Sequence, residues 1–189
     1  MTPSLAWVAL AAIILFWAVG AYNRLVRLRS DVVKAFSALD SVLAVQPALI
    51  QATLPAALPP DVLPDGSLAQ WSRLSSAGEQ YARSLANARS RPLDPEAISA
   101  LCAAQSVLDD VWQIPTQPGS DPQAGLMDGL RVRLARLADQ AAGLREAFDA
   151  SVFAYNTAVG QFPAMLLARL WGFKPAGLIQ PRNPEQNGE

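Results

Sequence analysis

Histidine is absent from this chain of 189 residues, and cysteine occurs once, at Cys102. The first absence excludes imidazole acid/base chemistry and histidine-ligated metals, and the second excludes an intrachain disulfide. Cys102 falls beside the apolar stripe of its helix, where it reads as a small buried hydrophobe rather than a reactive thiol. Charge is sparse, at 16% of residues, and a net charge of −1 with a pI near 5.5 lacks the basic surface that nucleic-acid binders carry. Nucleic acid is therefore not expected as a partner. The trio Arg131, Arg133 and Arg136 spreads over more than one helical face and reads as solvated surface rather than a phosphate track. The β-branched alternation of strands is missing too, so no strand is expected.

Charged side chains are also missing from the first 23 residues, after which Arg24, Arg27, Arg29 and Lys34 follow at once. Between the polar edges Thr2 and Asn23, Leu5 to Ala21 is almost wholly apolar and as a helix crosses roughly 30 Å of hydrocarbon. The Met-Thr-Pro-Ser start has no basic side chain, and the apolar run exceeds the ~7–15 residues of a signal-peptide core. A retained single-span anchor is expected, with a cleaved signal ending near Ala18, Gly20 and Ala21 as the alternative. The basic residues after the span put the N-terminus outside and the body in the cytoplasm. Trp7, Trp17 and Tyr22 read as interfacial aromatics. The predicted organisation is a short segment 1–4, a transmembrane helix 5–22, a helical body 23–173 and a disordered tail 174–189.

The body is rich in Ala, Leu, Arg and Gln, which favour helix. Leu25, Leu28, Val32, Ala35, Leu39, Val42 and Leu49 recur at helical steps, with Gln46 a polar interruption and Phe36, Leu43 and Ile50 broadening the stripe. Span and first body helix form one rod, which Pro47 kinks. Pro55 to Gly66 reads as a loop. A second helix from about Leu68 to Ser90 carries Trp71, Leu74, Gly78, Tyr81, Leu85 and Ala88 on one face. Asp94-Pro95-Glu96 starts a third, with stripe Ile98, Leu101, Gln105, Leu108 and Trp112. Ile114 to Ser120 breaks it. Asp121-Pro122 starts a fourth helix of about 40 residues, whose stripe runs through Leu126, Leu130, Leu134, Leu137, Ala141, Leu144, Phe148, Val152, Tyr155 and Val159 to Phe162.

The predicted fold is all-α: an N-terminal transmembrane helix continuous with an elongated antiparallel four-helix bundle. Pitch arithmetic brings Tyr155 and Asn156 level with Tyr22 and Asn23 at the membrane-proximal end. Asn23 and Asn156 are expected to set register there by hydrogen bonding. Beyond Phe162 and Pro163, the segment containing Trp171, Phe173 and Lys174 either lies on the bilayer surface or folds back over the bundle end.

The run Tyr22-Asn23-Arg24 to Arg29, the distal Arg145 to Pro163 containing Phe148, Tyr155-Asn156 and Phe162-Pro163, and then Gly172-Phe173 resemble the LemA family of bacterial membrane proteins. The resemblance covers both ends of the chain. It fades over Val45 to Leu54, which lacks the charges and the Asn of the family's central segment, so the chain resembles a divergent member. It implies one N-terminal span, a long helical bundle and an inner-membrane location. It also offers a membrane metalloprotease or a TPM-domain protein as partner, and the family's biochemical role is not established.

Chemistry finds little foothold. Tyr155, Asn156 and Arg145 supply no nucleophile and base pair, and of the acids Asp139, Glu146 and Asp149 the first two lie about 10 Å apart on one face, far for a cooperating pair. Asp109 and Asp110 point to different faces and read as a solvated helix end. No cofactor, metal or catalysis is expected. The first functional reading is an interaction or scaffold protein with the bilayer, an unidentified protein or a second copy as partner. The alternative is a sensor that transmits through the kinked first helix.

Overall fold

The computed structural model describes residues 3–57, 65–113 and 122–179, with side chains at 7–53, 71–111 and 128–179. Among them every regular element is an α-helix: α1 Pro3–Leu43, α2 Val45–Ala57, α3 Asp65–Ser90, α4 Pro95–Gln113, α5 Pro122–Gly160 and α6 Ala164–Leu170. Several expectations lie outside the described residues: the edge Thr2, the centre of the first loop at 58–64, the break 114–120 with the cap Asp121, the side chains of Leu126 and Trp112, and the chain end from 180.

The 41 residues of α1 join the apolar run to the first body helix in one rod about 60 Å long. Its N-terminal part is long and apolar enough to cross a membrane, with a mean hydropathy of 1.7. The rod breaks at Ala44, in the turn preceding Pro47, as expected of a proline whose ring crowds the carbonyl four residues back, here that of Leu43. The Ala44 N–H still reaches the Asp40 carbonyl at 2.9 Å, and the chain then turns. Pro47 stands in the first turn of α2, where a missing N–H removes no intrahelical bond. The expected loop also starts too early, because Pro55 to Ala57 continue α2 and Asp65 and Gly66 open α3. A proline in the last turn forfeits one hydrogen bond, which a helix ending two residues later tolerates.

The α3–α4 connection follows its sequence signal. The Asp94 Oδ1 atom accepts the Glu96 N–H at 3.1 Å, its carbonyl accepts the Ile98 N–H, and Pro95 takes the first helical position. α1 packs on α5, α3 on α4, α2 bridges α3 and α5, and α6 sits against α1 and α5. The shared core holds the expected stripes: Leu25, Val32, Phe36 and Leu39 from α1, Trp71, Leu74 and Tyr81 from α3, Ile98, Leu101 and Leu108 from α4, Phe148, Val152 and Tyr155 from α5. Phe36 meets Phe148 edge-on, ring centres 5.6 Å apart. Arg89 of α3 grips both Asp40 oxygens at 2.9 Å, beside the α1–α2 turn. The α5 stripe stops at Val159, and Phe162, expected to continue it, is 78% exposed because the helix has ended at Gly160.

The expected disordered tail is corrected over its first residues. From Lys174 to Ile179 the chain is an irregular strap held across α5 and α4, and Ala176 is buried.

Candidate functional site

Two polar clusters stand out, one where the strap crosses α5 and one in the middle of the body beside it. The first lies where α1 leaves the apolar run. A strap without regular structure cannot pair its own backbone groups, so side chains must do it. The Tyr155 hydroxyl donates to the Lys174 carbonyl at 3.0 Å. The Asn156 amide donates to the Ala176 carbonyl at 2.9 Å and accepts the Ala176 N–H at 2.7 Å. One turn pair down α5, the Asp149 carboxylate accepts the Ile179 N–H at 2.9 Å, and the Cys102 thiol of α4 donates to the Ile179 carbonyl at 3.1 Å. Gly177 is required here: a Cβ at that position would stand 2.7 Å from Pro95 Cα. Burial pushes the Tyr155 phenol up, with Arg29 opposing, and burial with Asp149 raises the Cys102 thiol against Arg145.

Among the hydrogen bonds of the described residues, those of Tyr155 and Asn156 go to the strap rather than to Tyr22 and Asn23. Tyr155 and Asn156 are engaged by the strap, whose amides offer better partners than a solvated side chain. Asn23 is exposed, and the Tyr22 ring lies 5.5 Å from Trp171 and 6.1 Å from Phe173. α6 closes on Gly172 at φ +71°, with the Phe173 N–H reaching back to the Ala168 carbonyl at 2.8 Å, a left-handed helix end that glycine tolerates. Ala168 faces inward, while Leu166, Leu170 and Trp171 are half or more exposed beside Phe162. Pro163 is half-buried and Lys174 exposed, as are Arg24, Arg27, Arg29 and Lys34.

The second cluster was not foreseen. Two cavities of about 250 and 210 Å³ share a wall of Gln105, Asp109 and Arg145. Tyr81 and Leu43 line the first, Gln46 and Leu134 the second. Gln46 is 3% exposed and Tyr81 fully buried, yet Gln46 Oε1, the Tyr81 hydroxyl and Gln105 Oε1 have no hydrogen-bond partner. Each unpaired buried group costs about 1–3 kcal/mol. Burial pushes the Tyr81 phenol far above its ordinary value, only partly opposed by Arg145, so it stays protonated. Asp109 is not merely a solvated helix end, since its carboxylate accepts the Gln105 amide N–H at 2.9 Å. The signal available in the sequence was three polar residues on the buried stripes of three helices.

Asp139 and Glu146 are exposed and stand in neither cluster. No group of three His, Cys, Asp or Glu side chains is placed to hold a metal among the described residues. No family model, curated protein or solved structure matches this chain.

Proposed function

We propose that this chain is a membrane-anchored helical interaction protein without catalytic activity, a divergent LemA-like member of the bacterial inner membrane. Residues 5–22 form the span, the N-terminus faces outward, and the body is a cytoplasmic antiparallel four-helix bundle. The continuity of α1 carries the reading: one helix joins an outward-facing apolar surface, of which 6% is buried, to the centre of the core. Such a surface is unfavourable in water and satisfied in lipid. A second apolar surface supports it. Phe162, Leu166, Leu170 and Trp171 are exposed at the end where Tyr22 stands, so a bilayer at that level covers both. The Phe36–Phe148 contact and a cavity flanked by Leu25 and Ala158 are consistent with α1 and α5 running in opposite directions. Partners for the exposed helical faces are a second membrane protein, with a metalloprotease or TPM-domain protein as the LemA-like candidates, or another copy of the chain.

The sensor reading has one observation in its favour: the turn at Ala44 separates Leu43 and Gln46, which line the two cavities of the second cluster. In-cell cross-linking followed by extraction in detergent separates these readings. Docking predicts a reproducible co-purifying protein that is lost on truncation after Gly160 and retained in Pro47→Ala. Release of the protein from membranes by alkaline carbonate contradicts the anchor, and recovery without any partner or second copy contradicts docking.

A further inference from the structure

We propose that the paired cavities walled by the α1–α2 turn, α3, α4, α5 and the strap end at Ile179 form a binding site for a small zwitterion of the α-amino-acid class. The orientation of Gln105 is fixed, because its Nε2 donates to Asp109 at 2.9 Å, which leaves Oε1 as an acceptor turned elsewhere. Gln46 Oε1 is a second buried acceptor without a donor. With the Asp109 carboxylate on the shared wall, this side of the site calls for a group rich in N–H, such as an ammonium. The same wall carries Arg145, half-buried, a fork of donors that none of the ion pairs among the described residues engages. A carboxylate satisfies it bidentately. The Tyr81 hydroxyl, buried and unpartnered, is a protonated donor for a carboxylate oxygen.

A simple anion would face the two glutamine oxygens and Asp109, and a simple cation would face Arg145 and, in the second cavity, Arg131 as well. A molecule carrying both charges on neighbouring atoms meets both sets. Volumes of about 250 and 210 Å³ fall below the ~300–1,000 Å³ of drug-sized pockets, which limits the ligand to a small one. Leu43 and Leu101 line the first cavity and Leu134 the second, leaving apolar wall for a short side chain. The inference does not rest on the docking reading, although the strap end borders the site: Ile179 and the Cys102 that holds it line the first cavity.

Calorimetric titration of the full chain in detergent micelles tests it, using each standard L-amino acid in turn, with acetate and methylamine as single-charge controls. Saturable binding of at least one amino acid is expected, at least roughly tenfold tighter than either control, the factor for one charge-assisted hydrogen bond. Arg145→Gln lowers that affinity roughly tenfold or more while leaving methylamine unchanged. Gln46→Leu weakens the amino acid and raises the unfolding midpoint of the empty protein, a readout that a misfolded variant would not give. Absence of saturable binding by any amino acid, equal binding of acetate alone, or undiminished affinity in both variants overturns the proposal. A cavity found to hold ordered water only, at saturating amino acid, overturns it as well.

Discussion

Two neighbouring regions of the body handle buried polar groups in opposite ways. Along the strap, Tyr155, Asn156 and Asp149 each have a backbone partner, and together they fasten an otherwise irregular segment. At the cavities Gln46, Tyr81 and Gln105 each keep an atom unpaired, on helices whose packing is otherwise regular. Paired groups lower the free energy of the empty fold, whereas unpaired ones raise it and are retained where something else supplies the partner. The first arrangement is a latch and the second a receptor. One phenol serves each, which makes the contrast open to direct test.

The largest expected effect is common to both regions. Phe148→Ala removes a fully buried ring packed on Phe36 and should destabilise by about 3–5 kcal/mol in urea unfolding of the detergent-solubilised chain. A loss below about 1 kcal/mol would mean that the two regions do not share a core. Asn156→Leu comes next. It strands both backbone groups of Ala176, costs about 2 kcal/mol, and frees the strap so that Cys102 reacts faster with a thiol reagent. An unchanged Cys102 rate would show that the strap holds without its latch. Gly177→Ala should act in the same direction by about 1 kcal/mol, because the added Cβ collides with Pro95 backbone and the strap must move.

Alkaline pH probes both regions at once. Burial raises the Tyr81, Cys102 and Tyr155 pKa values, so the unfolded chain releases these protons first. Their contribution to stability is complete below the ordinary thiol and phenol values, near 9 and 10, and is lost as pH rises through the folded-state values. Unfolding midpoints should therefore fall from about pH 9 upward. Tyr81→Phe should flatten the steepest part, and an unchanged slope in that variant would place the titration elsewhere.

Much of the fold was legible because its causes are local. The charge-free run gave the length of an apolar helix, three- and four-residue steps gave the stripes, and Asp94-Pro95 marked a helix start by a cap that the structure contains. Pro47 signals the break in the rod, which falls one turn upstream at Ala44 because the proline ring acts on the carbonyl four residues before it. The strap was illegible for a different reason. Its anchors bind main-chain atoms of residues 174, 176 and 179, and any sequence presents the same main chain. Tyr155 and Asn156 stood out as residues, but their partners could not. Gln46 and Gln105 were visible as polar breaks in apolar stripes. Only tertiary packing places them in adjoining cavities with Tyr81 and Arg145.

The most direct measurement compares two single-atom deletions, Tyr155→Phe and Tyr81→Phe, by equilibrium urea unfolding of the full chain in the same micelles. Removing the Tyr155 hydroxyl breaks a made hydrogen bond and should cost about 1 kcal/mol, whereas removing the unpartnered Tyr81 hydroxyl should leave stability unchanged or raise it. Equal losses in the two variants, or a larger loss at Tyr81, would contradict the division of the molecule into a latch and a receptor.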